Sequence, residues 1–193
     1  MKSTFVLACV GVLLVAGGCS TVTVREPLGE VAPFAERKAL EGRWMNDDGD
    51  VAEVRMLKSG EMQFGGLEWD EEGQRYRAES VRFTVTTLRD LRIINGSGGE
   101  NGTDEGYSFI RYEIEDESTL RLYLPTVSIF EQVVASGDLA GTIERDEGPY
   151  VNTVDVHIEA TAEEVDAFLK KSGDSACFEP EPSVTFKRLK RFE

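Results

Sequence analysis

Alternation of apolar and polar residues at every second position is the pattern that most limits how this chain folds. In the segment 109–115, Ile110, Tyr112 and Ile114 alternate with charged residues. Successive side chains of a β-strand point to opposite faces, so this segment suits a strand with one face in a core and one in water. Several such segments follow one another, separated by turn sequences such as Lys58–Glu61, and this spacing predicts antiparallel hairpins.

Strands are predicted to outnumber helices. The alternating segments begin at Gly42 and continue over 51–57, 62–69, 76–88, 91–94, 109–115, 120–124, 154–158 and 184–189. Two other segments, Ser128–Glu131 and Thr161–Glu164, have the spacing of a helix capping box. Gly137 and Gly173 are expected to end these helices. The pattern therefore predicts a mainly β (α+β) domain, an antiparallel barrel or partial barrel with two short helices.

The N-terminus has the features of a secretory signal. Lys2 supplies a positive charge, and Phe5–Ala16 is an uninterrupted apolar run. A run of this length suits the central region of a signal peptide and is shorter than the roughly 18 apolar residues that span a bilayer. We therefore predict that residues 1–18 are a signal peptide.

Val15–Cys19 (VAGGC) resembles the lipobox of bacterial lipoproteins, although the family most often has leucine where Ala16 stands. The resemblance implies that the Cys19 thiol is alkylated by a diacylglyceryl group and that a lipoprotein signal peptidase cuts between Gly18 and Cys19. The acyl chains would hold the protein firmly in a bilayer. By family analogy in Gram-negative bacteria, Ser20 after the cysteine implies an outer-membrane location facing the periplasm.

The predicted division of the chain follows from this anchor. Residues 19–40 are expected to be a lipidated N-terminus and tether, and residues 41–193 a single β-rich domain. The stretch 20–34 shows no regular period and contains glycine and proline, so we interpret it as a flexible linker. Glu36–Leu40 is long enough for one helical turn. Cys177 is the one cysteine expected in the processed domain, where it cannot form an internal disulfide and is predicted to be buried.

Gly42-Arg43-Trp44 resembles the Gly-X-Trp motif that opens lipocalins and related calycin barrels. The resemblance implies a lipocalin-like barrel in which Trp44 closes the base and is packed by a late arginine, Arg188 or Arg191. Other lipocalin signatures are absent, and two internal helices are not the family's usual plan. A different antiparallel α+β sandwich or partial barrel is the alternative.

The charge of the chain argues against nucleic acid as a partner. Asp and Glu number 36 against 21 Lys and Arg, for a net charge of −15. Such a surface repels phosphate, because binding by counterion release needs clustered basic side chains. The basic cluster of Lys187, Arg188, Lys190 and Arg191 is interpreted as a solvated strand end.

No segment predicts catalysis, a metal site or a cofactor. His157 is the single histidine and is predicted to share a polar strand face with Asp155 and Glu159, without a nucleophile in view. Asn46–Asp50 is interpreted as a hairpin turn, because its acids lack EF-hand spacing. Gly96–Gly106 lacks the lysine of a phosphate-binding loop and is interpreted as a surface loop or a mobile loop at a barrel mouth.

The resulting hypothesis is a lipid-anchored envelope lipoprotein that presents a non-enzymatic β-rich binding module. In a barrel, Phe83, Ile110, Tyr112 and Leu122 are candidates to line a cavity for a small apolar ligand; the same residues as plain core are the alternative. A second hypothesis is an accessory or scaffold subunit that binds an envelope protein and has no cavity. A third is a hydrolase, which requires two carboxylates converging in a cleft. The expected partners are the membrane through Cys19 and a ligand or envelope protein.

Overall fold

The structure, a computed structural model, describes residues 20–70, 75–97, 106–147 and 152–190. Within these ranges the strands β1 to β12 are Thr21–Val24, Glu30–Val31, Gly42–Asn46, Val51–Met56, Met62–Asp70, Arg75–Leu88, Leu91–Ser97, Tyr107–Glu115, Thr119–Tyr123, Gly141–Glu147, Asn152–Ile158 and Val184–Arg188. The helices α1 to α3 are Phe34–Leu40, Val127–Ser136 and Ala162–Ser172, and a 3₁₀ turn spans Asp174–Cys177.

Eight strands close an antiparallel barrel. The order around it is β3, β4, β5, β6, β7, β8, β9 and β12, and β12 pairs back with β3. Short hairpins join most neighbours; for example, Leu57 N–H donates to Glu61 O (2.8 Å) between β4 and β5. The predicted mainly β antiparallel barrel is confirmed, and it is consistent with the lipocalin-like barrel that the Gly-X-Trp resemblance implies.

The two ends of the barrel differ. We call the end where α1 lies the barrel base; it also carries the turns 57–61, 89–90 and 116–118. Arg37 of α1 fixes the helix there by donating to Gly60 O (2.6 Å). We call the opposite end, which carries the turn 47–50, the mouth. The connections 71–74 and 98–105 lie outside the described residues, so most of the predicted glycine-rich loop cannot be placed.

The barrel interior is apolar because one side of each strand alternation points into it. Ile110 and Tyr112 of β8 face inward with Phe83 and Val85 of β6, as the period-two pattern predicts. Ala32 and Leu40, from the chain before the first barrel strand, complete this core from the base. An eight-stranded barrel is just wide enough to be filled by side chains or to hold one small ligand.

A second core lies outside the barrel wall. Ile93, Phe109 and Tyr123 point outward from β7, β8 and β9, yet all three are buried. They are covered by α2, α3 and the extension β10-β11-β1 of the sheet, and Phe109 meets Phe130 of α2 edge to face at 5.6 Å between ring centroids. The predicted single wet face is therefore wrong for this part of the barrel.

Helices α2 and α3 begin differently. The capping box predicted at Thr161 is confirmed: the Thr161 hydroxyl accepts from Glu164 N–H (3.3 Å), and the Glu164 carboxylate accepts from Thr161 N–H (2.8 Å). The box predicted at Ser128–Glu131 is wrong, because α2 begins at Val127 and its N-cap makes no side-chain hydrogen bond. Glu131 pairs instead with an arginine of β10. Helix α1 is a third helix beyond the two predicted.

The segment 21–34 is part of the fold, so the prediction of a flexible linker there is wrong. β1 pairs in parallel with β11 and antiparallel with β8, and its Val22 and Val24 are buried. β2 adds to β6 near the base. The sequence of Thr21–Val24 (TVTV) alternates as a strand does, and the interpretation as a linker overlooked this short pattern; the strands that pair with it are distant in sequence.

A buried polar network ties this segment to the barrel wall at Leu28. Asn95 Oδ1 accepts from Leu28 N–H (2.9 Å), and Asn95 Nδ2 donates to Thr86 Oγ1 (2.8 Å) and Leu28 O (3.2 Å). Thr86 Oγ1 also donates to Leu28 O (2.5 Å). The backbone crosses the wall so closely at Gly29, which has a φ of 83°, that a Cβ there would lie 2.7 Å from Thr87 O.

Candidate functional site: the barrel base and interior

The base is closed by a stacked tryptophan and arginine. Trp44 is 1% exposed, and its Nε1 donates to Leu40 O of α1 (2.9 Å). Arg188, opposite Trp44 in the β3–β12 pairing, places its guanidinium carbon 4.1 Å from the centroid of the indole ring. This geometry favours a cation–π interaction. The closure implied for Trp44 and Arg188 is therefore present, whereas Arg191 lies outside the described residues.

Arg188 also joins three parts of the base through backbone carbonyls. Its guanidinium donates to Glu41 O (2.5 Å), to Glu117 O (2.8 Å) and to Ala39 O. Burial lowers the pKa of Arg188 below its ordinary value, but a guanidinium remains charged in proteins. A Cβ at Gly42 would lie 2.9 Å from Arg188 Nη1, so the glycine of Gly-X-Trp leaves room for the arginine.

All four predicted cavity residues meet in the barrel interior. Phe83, Ile110, Tyr112 and Leu122 belong to one buried cluster, and Tyr112 pairs with Leu122 across β8 and β9. The same burial is also expected of plain core residues, so a polar feature is needed to distinguish a binding site from a packed core.

That feature is the Tyr112 hydroxyl. The side chain is 1% exposed, and its oxygen has no hydrogen-bond partner among the described residues. The pKa of Tyr112 is raised to about 12, mainly by burial and also by the negative charge of Glu36, while the positive charge of Arg92 partly offsets both. A buried hydroxyl without a partner costs about 1–3 kcal/mol, and such groups are uncommon in folded proteins.

Glu36 and Arg92 are two charged residues at the base of the barrel whose charges act on Tyr112. Glu36 lies on α1 and Arg92 on β7, with Arg92 Nε 3.9 Å from Glu36 Oε2. Sequence reasoning missed Glu36 because its helix was assigned to the tether, and it missed Arg92 because the partner of Arg92 lies on that helix. The signal for a longer helix is the run of strong helix formers after Pro33, Ala35–Leu40 (AERKAL), which contains no glycine or proline.

The arrangement suits binding rather than acid–base chemistry. A phenol with a pKa of about 12 stays protonated near neutral pH, so Tyr112 is neither a base nor an activated nucleophile there. It can donate one hydrogen bond and accept another inside an apolar enclosure.

Two grooves lie outside the barrel interior. The first, of about 440 Å³, separates α3 from the connection between α2 and β10 and includes Ala167, Phe168 and Lys171. The second, of about 200 Å³, lies where β1 and β9 meet the same edge of β8. Ser20, Leu124 and Glu179 are among the residues that line it.

His157 has a structural neighbour rather than a catalytic partner. Its Nδ1 lies 3.0 Å from Thr23 Oγ1, which links β11 to β1. Asp155 Oδ1 accepts instead from the Thr21 backbone N–H (3.1 Å) and hydroxyl (2.6 Å). Val156 is buried on the opposite face, as the alternation predicts.

The remaining candidate sites are also placed. Asn46–Asp50 forms the predicted turn, in which Asn46 Oδ1 accepts from the backbone N–H of Asp50 (2.8 Å) and of Asp48 (3.1 Å). In the described part of the chain, no three His, Cys, Asp or Glu side chains are grouped as metal ligands. Cys177 is buried, and Cys19 lies outside the described residues.

Comparison of the chain with known protein families, curated proteins and solved structures found no match. Among residues 20–190, as far as they are described, no helix is both long and apolar enough to cross a bilayer.

Proposed function

We propose that this protein is a lipid-anchored lipoprotein of the bacterial cell envelope whose barrel binds a small, largely apolar molecule. The anchor is supported by the apolar leader and the lipobox-like Val15–Cys19. Outer-membrane placement facing the periplasm rests on Ser20 after the cysteine. The binding module is the eight-stranded barrel closed at its base by Trp44 and Arg188.

The observation that carries the binding proposal is the buried, unpartnered hydroxyl of Tyr112. Among the apolar side chains of the inner core, this hydroxyl supplies one directional contact, and the apolar surface supplies the free energy of transfer from water. We infer that the ligand is an amphiphile such as a fatty acid or fatty alcohol, with its polar group toward Tyr112.

Titration with a fluorescent fatty acid tests this proposal. We expect saturable binding to the native protein and an affinity weakened by about two- to tenfold in Tyr112→Phe, because one hydrogen bond contributes about 0.5–1.5 kcal/mol. Tyr123→Phe is the matched control, since that hydroxyl bonds Glu113 (3.0 Å) on the outer side of the barrel. Absence of saturable binding, or equal affinities for native protein and Tyr112→Phe, would exclude the site.

A second candidate function is that of a scaffold subunit in an envelope complex. It is favoured by the groove of about 440 Å³ beside α3, in which the apolar Ala167 and Phe168 lie next to the charged Glu164 and Lys171. Such an apolar centre with a polar rim is typical of protein interfaces. A photo-crosslinking residue at position 167 should then capture a specific envelope protein in intact cells, whereas one at exposed Thr142 should not.

A further inference from the structure

The smaller of the two grooves exists because two strands share one edge of β8 without meeting. β9 pairs with that edge as far as Arg111, and β1 pairs with it from Ser108 onward. Between these pairings the chain after β9 turns away from β8, and Leu124 N–H donates to Ser183 Oγ (3.2 Å) instead. The gap that remains is the groove of about 200 Å³, which we call the β1–β9 groove.

Most of the lining of the β1–β9 groove is apolar. The apolar side chains belong to Val22, Phe109, Ile110, Leu124, Pro125 and Val127. Ile110 is a member of the inner core and Phe109 of the outer core, so the groove reaches down to both. An engineered cavity of about 150 Å³ with a similar lining binds benzene. The β1–β9 groove therefore has room for several methylene groups.

A lipid on Cys19 would leave the chain beside this groove. Ser20 is itself part of the groove lining. Its position is fixed, because Ser20 Oγ accepts from Val154 N–H (2.9 Å) and the next residue, Thr21, donates twice to Asp155. Adjacent Cα atoms are about 3.8 Å apart in any conformation of a trans peptide. No further residue separates the proposed lipid from the groove.

The apolar lining favours a lipid chain as the occupant. An acyl chain is surrounded by apolar groups both in a bilayer and in the groove, so its own transfer between them changes the free energy little. The apolar lining is open to water until it is covered, and covering it is favourable. A lipid with two or three acyl chains can place one in the groove and keep the others in the bilayer.

We propose that the β1–β9 groove binds one acyl chain of the lipid on Cys19, while the other chains hold the protein in the bilayer. This inference rests on the proposed lipidation of Cys19. It deepens that proposal because it names the protein surface that the lipid contacts. The protein's own lipid is the occupant because Ser20, its neighbour in the chain, lines the groove.

Photocrosslinking tests this inference on the native lipoprotein, purified with its lipid and reconstituted into vesicles of phosphatidylethanolamine and phosphatidylglycerol. A diazirine side chain is placed at Glu179, an exposed residue of the groove lining. The matched control is Thr153, which is also close to Ser20 but lies on β11, on the other side of β1. We expect position 179 to crosslink to the acyl chains of the tryptic fragment Cys19–Arg25 several-fold more than position 153.

Filling the groove provides a second measurement. Leu124→Trp places a larger side chain in the groove and should reduce the crosslinking yield at position 179 several-fold. Thr142→Trp, at an exposed position of β10, should leave that yield unchanged.

Equal yields at positions 179 and 153, or crosslinks from position 179 to unattached vesicle lipid alone, would overturn the assignment of the groove while leaving the anchor intact. A fragment Cys19–Arg25 without a diacylglyceryl group would instead refute the anchor, and the assignment of the groove with it.

Discussion

At the scale of single residues, Arg188 has the widest set of contacts in the barrel base. It stacks on Trp44 and donates to three backbone carbonyls. These belong to Ala39 in α1, to Glu41 just after α1, and to Glu117 in the turn between β8 and β9. Loss of the guanidinium leaves these acceptors without their donor, which is costly because hydrogen bonds to charged groups contribute more than neutral ones.

We therefore expect Arg188→Leu to lower the free energy of unfolding by about 2–4 kcal/mol in urea titrations at neutral pH. Arg43→Ala on the neighbouring strand removes an exposed arginine and should change it by less than about 0.5 kcal/mol. Similar losses in the two variants would show that Arg188 does not hold the base together.

The Tyr112 hydroxyl is expected to contribute to ligand binding and to lower the free energy of unfolding of the empty protein. Its pKa is about 12 in the folded protein against 10.0 ordinarily, so between these values the folded state keeps a proton that the unfolded state releases. The corresponding stability is fully present below pH 10 and is lost as the pH rises toward 12. Tyr112→Phe should abolish this alkaline loss.

The same substitution also removes an unpartnered buried oxygen, so Tyr112→Phe should raise the free energy of unfolding at neutral pH by about 1 kcal/mol. Tyr123→Phe loses its bond to Glu113 and should lower it. Chemical denaturation across neutral and alkaline pH measures both effects. A Tyr112→Phe protein less stable than native at neutral pH would indicate that the hydroxyl has a partner.

At the scale of elements, the segment 21–32 behaves as a strap across the barrel wall, held by Leu28, Asn95 and Thr86. Asn95→Ala would leave the backbone N–H of Leu28 buried without its acceptor. We expect a loss of about 2–4 kcal/mol and faster hydrogen exchange of residues 21–32 as one unit. Thr142→Ala, at an exposed position of β10, is the control. Unchanged exchange in Asn95→Ala would refute the strap.

The sequence predicts those elements whose signals are local. Period-two alternation located the barrel strands, and Thr161–Glu164 located the start of α3, because these patterns report on neighbouring residues. The strand β1 has a period-two sequence, Thr-Val-Thr-Val, but its partner strand β11 lies more than 130 residues away. The burial of Phe109 and Tyr123 depends on α2 and α3 in the same way. The placement of β1 and the burial of these two side chains therefore depend on long-range packing, which local sequence patterns do not report.

The candidate site was also predictable only in part: its residues followed from a local pattern, whereas its polar surroundings did not. Alternation was sufficient to bring Tyr112 and its three predicted neighbours together, since it fixes which side of a strand faces the barrel. The missing hydrogen-bond partner of Tyr112 depends on every element around it. The charges of Glu36 and Arg92 reach the site only because α1 closes the base.

At the scale of the whole molecule, the proposed lipid anchor would be joined directly to a barrel with two cores. The inner core surrounds Tyr112, and the outer core fixes β1 and so the first residue after Cys19. A lipid on Cys19 would thereby be coupled to the fold, since Ser20 and Thr21 are already hydrogen-bonded to β11.

The identity of the mature N-terminus tests this account most directly. Mass spectrometry of the protein extracted from membranes should show an N-terminal tryptic fragment Cys19–Arg25 that carries a diacylglyceryl group, and Cys19→Ala should retain its leader and lose the lipid. An N-terminal fragment that lacks lipid, or one that retains the leader of the native chain, would contradict the account.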